Sequence, residues 1–359
     1  GASLRMFLVI NVLQIFVFDA WNIPFWVNVL IFIALIIIYT LKGGIRTIIW
    51  TDTLQTTFML LAVVLSVYYI SRELGAPFFT LVGDIFDSDM SRMVITDWDH
   101  PRHFIKQFFS GMFITITMTG LDQEMMQKNL SIRHLKDAQK NMFTFSSINL
   151  VVVFMFLVLG AFLVFYASAQ NITVAMSDDL FPTIAFRYLG PAAGVVFLIG
   201  LISAAFPSAD GALTSLTTSF SIDFLGLEKK TEMDNEKKTR IRYSVHFSFA
   251  IIFFICILIF RQMNDRAIID KLFTIAGYTY GPLLGLYTFG LFTRRSVNDR
   301  YTPWIAIASP VICYFLSHYS EELFNGYKFG FEMLLVNGFL TFVGLYIFSR
   351  KGLKSDTGA

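Results

Sequence analysis

GLISAAFPSADGALTSLTTSFSID, residues 200–223, is apolar enough to enter a bilayer, yet it carries an aspartate, a proline and a run of hydroxyls. Asp210 falls deep inside it. An ionisable group within a spanning helix is costly and faces a cavity or a partner rather than lipid. A carboxylate beside several hydroxyls offers hard oxygen ligands, which suit a hard cation such as sodium. Pro207 lacks a backbone N–H and so frees the carbonyl of Ser203 from its helical bond. Carbonyls freed in this way are available to an ion. The same small residues also suit close helix packing, and serine or threonine can bond back to helix carbonyls. The pattern by itself leaves both uses open.

A second stretch of this kind is GGIRTIIWTDTLQT (43–56), where Asp52 lies about two turns into its helix. Asp52 either joins an ion site or pairs with a basic residue. Asp122, Glu124 and Asp223 are placed near cytoplasmic helix ends, where solvation or capping accounts for them, and Glu332 is placed at the outer interface.

The rest of the chain makes these helices part of a membrane protein. Of 359 residues 55% are hydrophobic and 15% charged, well below the quarter charged that is usual in soluble domains. The mean hydropathy is +0.62. Apolar runs recur near 3–18, 24–42, 48–70, 104–127, 141–166, 190–222, 243–261, 271–292, 302–317 and 329–349. They are too long for strands and do not alternate as barrel strands do. About ten transmembrane helices result, each needing about 20 residues. A net charge of +2 without a basic aromatic patch excludes a nucleic-acid partner. Cys256 and Cys313 lie in apolar runs and read as packing residues.

Charge alternates from loop to loop. Lys42 and Arg46 share one loop. Lys128, Arg133, Lys136 and Lys140 occupy another, and Lys229, Lys230, Lys237, Lys238, Arg240 and Arg242 a third. Arg294, Arg295 and Arg300 precede the last pair of spans, and Arg350, Lys351 and Lys354 follow them. With Arg5 these make 19 of the 28 basic residues. The opposite loops carry acids, including Asp84, Asp89, Asp99, Asp178, Asp179, Asp265, Asp270 and Glu321. The positive-inside rule places the basic loops in the cytoplasm of a cell-membrane protein. The outer loop 71–103, with Pro77, Gly83 and Pro101, is long enough for a small lid but not for a domain. The reading is a single transmembrane domain over 1–351 and a short cytoplasmic tail over 352–359.

Four segments resemble the sodium:solute symporter family. GGIRTIIWTDTLQT resembles its GG-x-x-x-V-[IV]-[WY]-T-D-x-[IL]-Q run, and DQEMMQKNLSIRHLKDAQK (122–140) its D-Q-x-x-x-Q-R helix end and basic loop. ISAAFPSADGALTSLTTSFSIDF (202–224) resembles its serine-rich sodium helix. GYTYGPLLGLYTFGLFTRRSVNDRYT (277–302) resembles its G-P-L-L motif. The resemblance implies a leucine-transporter fold of inverted five-helix repeats, with the chain beginning at the third core helix. It implies a main sodium site with the carbonyl of Ala204 and the hydroxyl of Ser208. Pro207 departs from the usual Ser-Ser or Ser-Thr pair, and Ser203 is the substitute for the lost hydroxyl. A second sodium site maps to Asp52, Asp210 and Gly211, of which the last two are often serines in the family.

Arg5 aligns with an arginine that binds the substrate carboxylate in sialic-acid members. The alternative is an interfacial arginine. Asn149, Met118 and Thr119 replace the lysine and aromatic residues of sugar-transporting members, so a glucose-type site is disfavoured. Thr115, Thr117 and Thr119 with Asn149 offer neutral hydrogen bonds to a solute.

The function that follows is sodium-coupled import of a small polar or anionic organic solute by alternating access. Sodium is the coupling ion, no cofactor is required, and the partners are the solute, sodium and the bilayer, with no obligatory protein partner. An intramembrane enzyme would need clustered catalytic groups, yet His100, His103, His134, His246 and His318 all read as loop or helix-end residues. A transporter-derived sensor would need a signalling domain. A passive channel would not need deep carboxylates beside hydroxyls.

Overall fold

The computed structural model is helical almost throughout. It describes all residues except 93, 99, 101, 231, 264–267 and 352–359, and it describes no side chains for 41–49, 263, 268–273 and 351. The tail, Asp99, Pro101 and Asp265 therefore lie outside the described residues, as do the side chains of Lys42, Arg46, Asp270 and Lys351.

In chain order the helices are α1 (Ala2–Leu13), α2 (Phe25–Leu74), α3 (Phe78–Asp87), α4 (Phe104–Thr115), α5 (Gln123–Leu130), α6 (Leu135–Ala169) and α7 (Leu180–Arg187). They continue with α8 (Pro191–Ser219), α9 (Asn235–Met263), α10 (Ile268–Phe292), α11 (Thr302–His318), α12 (Ser320–Leu323) and α13 (Met333–Phe348). Short π-helical turns extend α1 over Gln14–Phe18, α4 over Ile116–Gly120 and α8 over Phe220–Phe224. Among the described residues five segments are long and apolar enough to cross a membrane: Ala2–Trp21, Trp50–Leu74, Leu135–Ala169, Pro191–Phe224 and Asn235–Gln262. Phe25–Thr40 and Met333–Phe348 are shorter apolar helices.

Three details differ from the sequence reading. The run 104–127 is not one span. After the π turn, Asp122 accepts hydrogen bonds from the N–H groups of Glu124 at 3.0 Å and Met125 at 3.3 Å, and so caps the separate helix α5. An Asx side chain that satisfies the first free N–H groups starts a helix there. The outer loop contains the helix α3. Arg295–Ser296 pairs antiparallel with Arg350–Lys351, a two-residue bridge in an otherwise helical chain.

The chain divides into two compact units, Gly1–Ser91 with Gln127–Ile268, and Arg92–Met126 with Ile269–Ala359. In the first, α8 is the axis. Backbone helix is continuous through the 50 residues of α2, where a loop around Lys42 and Arg46 is expected from sequence. A straight helix of that length would run about 75 Å. The contacts forbid that course. Phe32 and Tyr39 both stack near Phe206, Tyr39 also bonds to Asp210, and Ala62 meets Gly200. Residues 32 to 39 climb α8 from 206 towards 210, and the later half descends to 200. The two halves of α2 thus lie antiparallel on α8, as two spans would. Gly200 allows this closeness, because a Cβ there would fall 2.4 Å from the Ala62 methyl. Leu81 of α3 and Phe162 of α6 complete an apolar cluster with Val63, Ile70, Ile184 and Ala193.

The second unit is organised around α10, α11 and α13. Asn337 of α13 is fully buried. Its amide donates to the carbonyls of Gly277 at 3.0 Å and Tyr278 at 2.9 Å. Pro282 cannot donate to Tyr278, four residues before it, so the Asn337 amide supplies the missing bond. Gly281 makes room for it, since a Cβ there would be 2.3 Å from the Asn337 Cγ. In the loop before α13, Tyr327 donates to Glu332 at 2.8 Å. Burial, and next that bond, raise the Tyr327 hydroxyl above the usual tyrosine range, so it stays a donor.

Candidate functional site

The residues read from sequence as ion ligands fall on one seam of the first unit, where α8 meets α1 and both halves of α2. α8 crosses at this point with a proline in its middle. Ser203 is buried, Ala204 is exposed and Ser208 is half-buried. Ala204 and Ser208 are four residues apart and so share a face. Onto that face comes Arg5 of α1, whose Nη1 donates to the Ser208 Oγ at 3.1 Å. The structure thus brings together a residue expected at the main sodium site and the residue expected to hold the solute.

Two residues further along α8, Asp210 has no exposed surface. Its Oδ2 accepts a 2.6 Å hydrogen bond from the Tyr39 hydroxyl, and its Oδ1 is buried without a partner. Gln55 reaches the same Tyr39 hydroxyl from the second half of α2, and its Oε1 is likewise buried and unpartnered. Gly211 is buried beside Asp210.

Asp52 lies three residues before Gln55, on the same face. It is near enough to Asp210 to interact electrostatically. Its Oδ2, however, is held by the Lys128 Nζ of α5 at 2.9 Å, which is the pairing with a basic residue that the sequence left open. Its Oδ1 is buried and unpartnered. Tyr39 and Lys128 are parts of the seam that sequence reasoning did not single out. Tyr39 reads as one more aromatic in an apolar run, and Lys128 as one more cytoplasmic charge.

The other solute candidates lie on α6 and on α4 with its π turn. Asn149 is exposed on α6 in the same unit. Thr115 and Thr119 belong to the second unit. Thr115 is exposed and donates to the Gly111 carbonyl at 2.9 Å. Thr119 lies in the π turn that follows it. π turns recur at functional sites.

His246 also differs from expectation. It is 5% exposed, inside α9 rather than at an end. Its two ring nitrogens contact the Thr40 hydroxyl at 3.1 Å and the Thr217 hydroxyl at 3.0 Å. It ties α9 to α2 and α8. α9 begins at Asn235, so His246 is three turns in. Among the described residues no three His, Cys, Asp or Glu side chains gather as a metal group.

The seam thus sets the buried carboxylate of Asp210 and hydroxyls on a helix with an internal proline, groups whose oxygens suit a hard cation. The family model for the sodium:solute symporter family matches residues 14–300, and the chain belongs to that family. It is 24% identical over 279 residues to the sodium-dependent multivitamin transporter of Oryctolagus cuniculus, covering 74% of this chain and 43% of that protein. It is 22% identical over 299 residues to the sodium/sialic acid symporter SiaT of Proteus mirabilis (strain HI4320), covering 80% of this chain and 59% of that protein. The chain thus spans about half the length of these curated relatives, which are transporters. A solved structure of a Na+-coupled sialic acid symporter, in a substrate-bound outward-open state, superposes with a TM-score of 0.78 at 16% identity. That match covers 98% of this chain and 72% of the other, and it shows that the two share the leucine-transporter-like fold.

Proposed function

We propose that the protein is a sodium-coupled symporter that imports a small anionic organic solute across the cell membrane, with residues 1–351 as one transport domain. The observation that carries this reading is the Arg5 guanidinium on the Ser208 hydroxyl. It sets a carboxylate-binding group against the helix that holds the main sodium candidates Ser203, Ala204 and Ser208. Arginine meets a carboxylate through two parallel hydrogen bonds. Two features support an anionic solute: this arginine, and the resemblance to sialic acid symporters, whose named solute carries a carboxylate.

The mechanism follows from coupled binding. Sodium on α8 adds positive charge beside Arg5, which favours an anionic solute there, and it favours the outward-open arrangement. The solute then binds, and closure of the outer gate precedes opening of the inner one. Because sodium and solute prefer the same conformations, each raises the affinity of the other by the same factor. The second sodium position involves Asp210 and Gly211, with Asp52 nearby.

Proteoliposomes with an inward sodium gradient should accumulate radiolabelled sialic acid, used as the probe acid, at least several-fold above vesicles without one. Equal accumulation in both would remove sodium coupling. Arg5→Lys keeps the charge but loses the planar fork. Loss of one charge-assisted bond, about 1.5 kcal/mol, predicts roughly tenfold weaker solute binding with sodium binding unchanged. Wild-type solute affinity in that variant would return Arg5 to an interfacial role.

Orientation follows from charge. A cysteine at Asn235, at the start of α9 beside the basic run, should react only with reagent on the cytoplasmic side, and one at Asp89 only from outside. Labelling of position 235 from outside would invert the topology.

A further inference from the structure

We propose that Lys128 is a tethered cation of the second ion position. Its ammonium neutralises Asp52, so that Asp52 and Asp210 together carry one net negative charge and recruit one sodium fewer than the bare pair of carboxylates would. The inference rests on the symporter reading above and sets how many ions that symporter takes.

Three observations carry it. The Lys128 Nζ is 2.9 Å from the Asp52 Oδ2, and both side chains are largely shielded, at 29% and 20% exposure. The same ammonium is within electrostatic range of Asp210, so it acts on both carboxylates. The remaining oxygens of the seam, Asp52 Oδ1, Asp210 Oδ1 and Gln55 Oε1, are buried without hydrogen-bond partners, and Asp210 is fully buried. A buried acceptor left unmade is costly, and a cation is what three such oxygens want. With Lys128 present, two negative charges face one fixed positive charge, and a single monovalent ion completes neutrality. Without it, two like charges share a poorly solvated seam, which is strongly unfavourable unless another cation enters.

A lysine suits this role better than an arginine fork would. Its compact, strongly hydrated point charge on a flexible stem resembles a free monovalent cation more closely. It reaches from α5 to Asp52, 76 positions away in sequence, so the pairing depends on the assembled fold.

The test counts ions. Sodium bound at saturation is measured by equilibrium dialysis of purified protein with radioactive sodium at pH 8, and sodium cooperativity by solute uptake. Lys128→Gln should bind one sodium more than wild type and raise the Hill coefficient for sodium by about one. Lys128→Arg should keep the wild-type count. The double variant Asp52→Asn with Lys128→Gln removes both charges together and should also return to the wild-type count. It serves as the folded control if the single variant is unstable. An unchanged sodium count in Lys128→Gln, or a double variant that binds fewer sodium ions than wild type, would overturn the proposal and leave an ordinary interhelical ion pair. Failure of wild-type protein to bind any sodium would instead overturn the symporter reading itself.

Discussion

Asp210→Asn weakens sodium binding by one to two orders of magnitude while leaving the protein folded. That is the expected result for a carboxylate with no exposed surface, one oxygen bonded to Tyr39 and the other free. Asparagine is nearly isosteric and still accepts the Tyr39 hydrogen bond, so packing against α2 is preserved. What is lost is a full negative charge at a buried oxygen. An interaction with a charged group is worth on the order of 1.5–3 kcal/mol, and each 1.4 kcal/mol is tenfold in affinity. Sodium titration by calorimetry and by uptake should agree on the shift. Near-wild-type sodium affinity in Asp210→Asn would place the ion elsewhere on α8 and leave Asp210 as a buried partner of Tyr39.

The second large effect is on stability. Asn337→Leu should cost about 2–4 kcal/mol, from an orphaned carbonyl and from overpacking. The orphan is the Tyr278 carbonyl, which Pro282 has already deprived of its helical donor and which the Asn337 amide holds at 2.9 Å. Ser309 loses a partner as well, since its hydroxyl donates to the Asn337 side chain and to its carbonyl. Leucine is also broader than asparagine where Gly281 approaches. The melting temperature in detergent should fall by roughly 3–5 °C. Gly281→Ala should act in the same direction from the other side, because its new Cβ would lie 2.3 Å from the Asn337 Cγ. An unchanged melting temperature in both variants would mean that α10 and α13 are held by their apolar contacts alone.

Both effects show how unevenly the sequence reveals its roles. Asp210 was legible, because a carboxylate in an apolar run with serines, glycine and proline is chemically conspicuous wherever the chain folds. Asn337 was not. It is a single amide in an apolar helix, and its purpose depends on a proline 55 positions earlier. The ends of helices were partly legible. The sequence places Asp122 at a helix end, capped or solvated, yet merges the helix it caps with the one before. Hydropathy measures apolar length and cannot see where hydrogen bonding restarts.

By itself the sequence determined the solvent and the class. Its scarcity of charge, its apolar runs and the alternation of basic and acidic loops follow from the cost of burying polar groups in lipid, a constraint that acts locally along the chain. Its motifs carried the family. Only the tertiary structure decided the partnerships: Arg5 with Ser208, Tyr39 with Asp210, Lys128 with Asp52 and His246 with Thr40 and Thr217. These join residues 29 to 206 positions apart. Nothing in local pattern specifies which buried donor meets which buried acceptor. The choice is made when α2 doubles back along α8 and the polar groups left inside must satisfy one another.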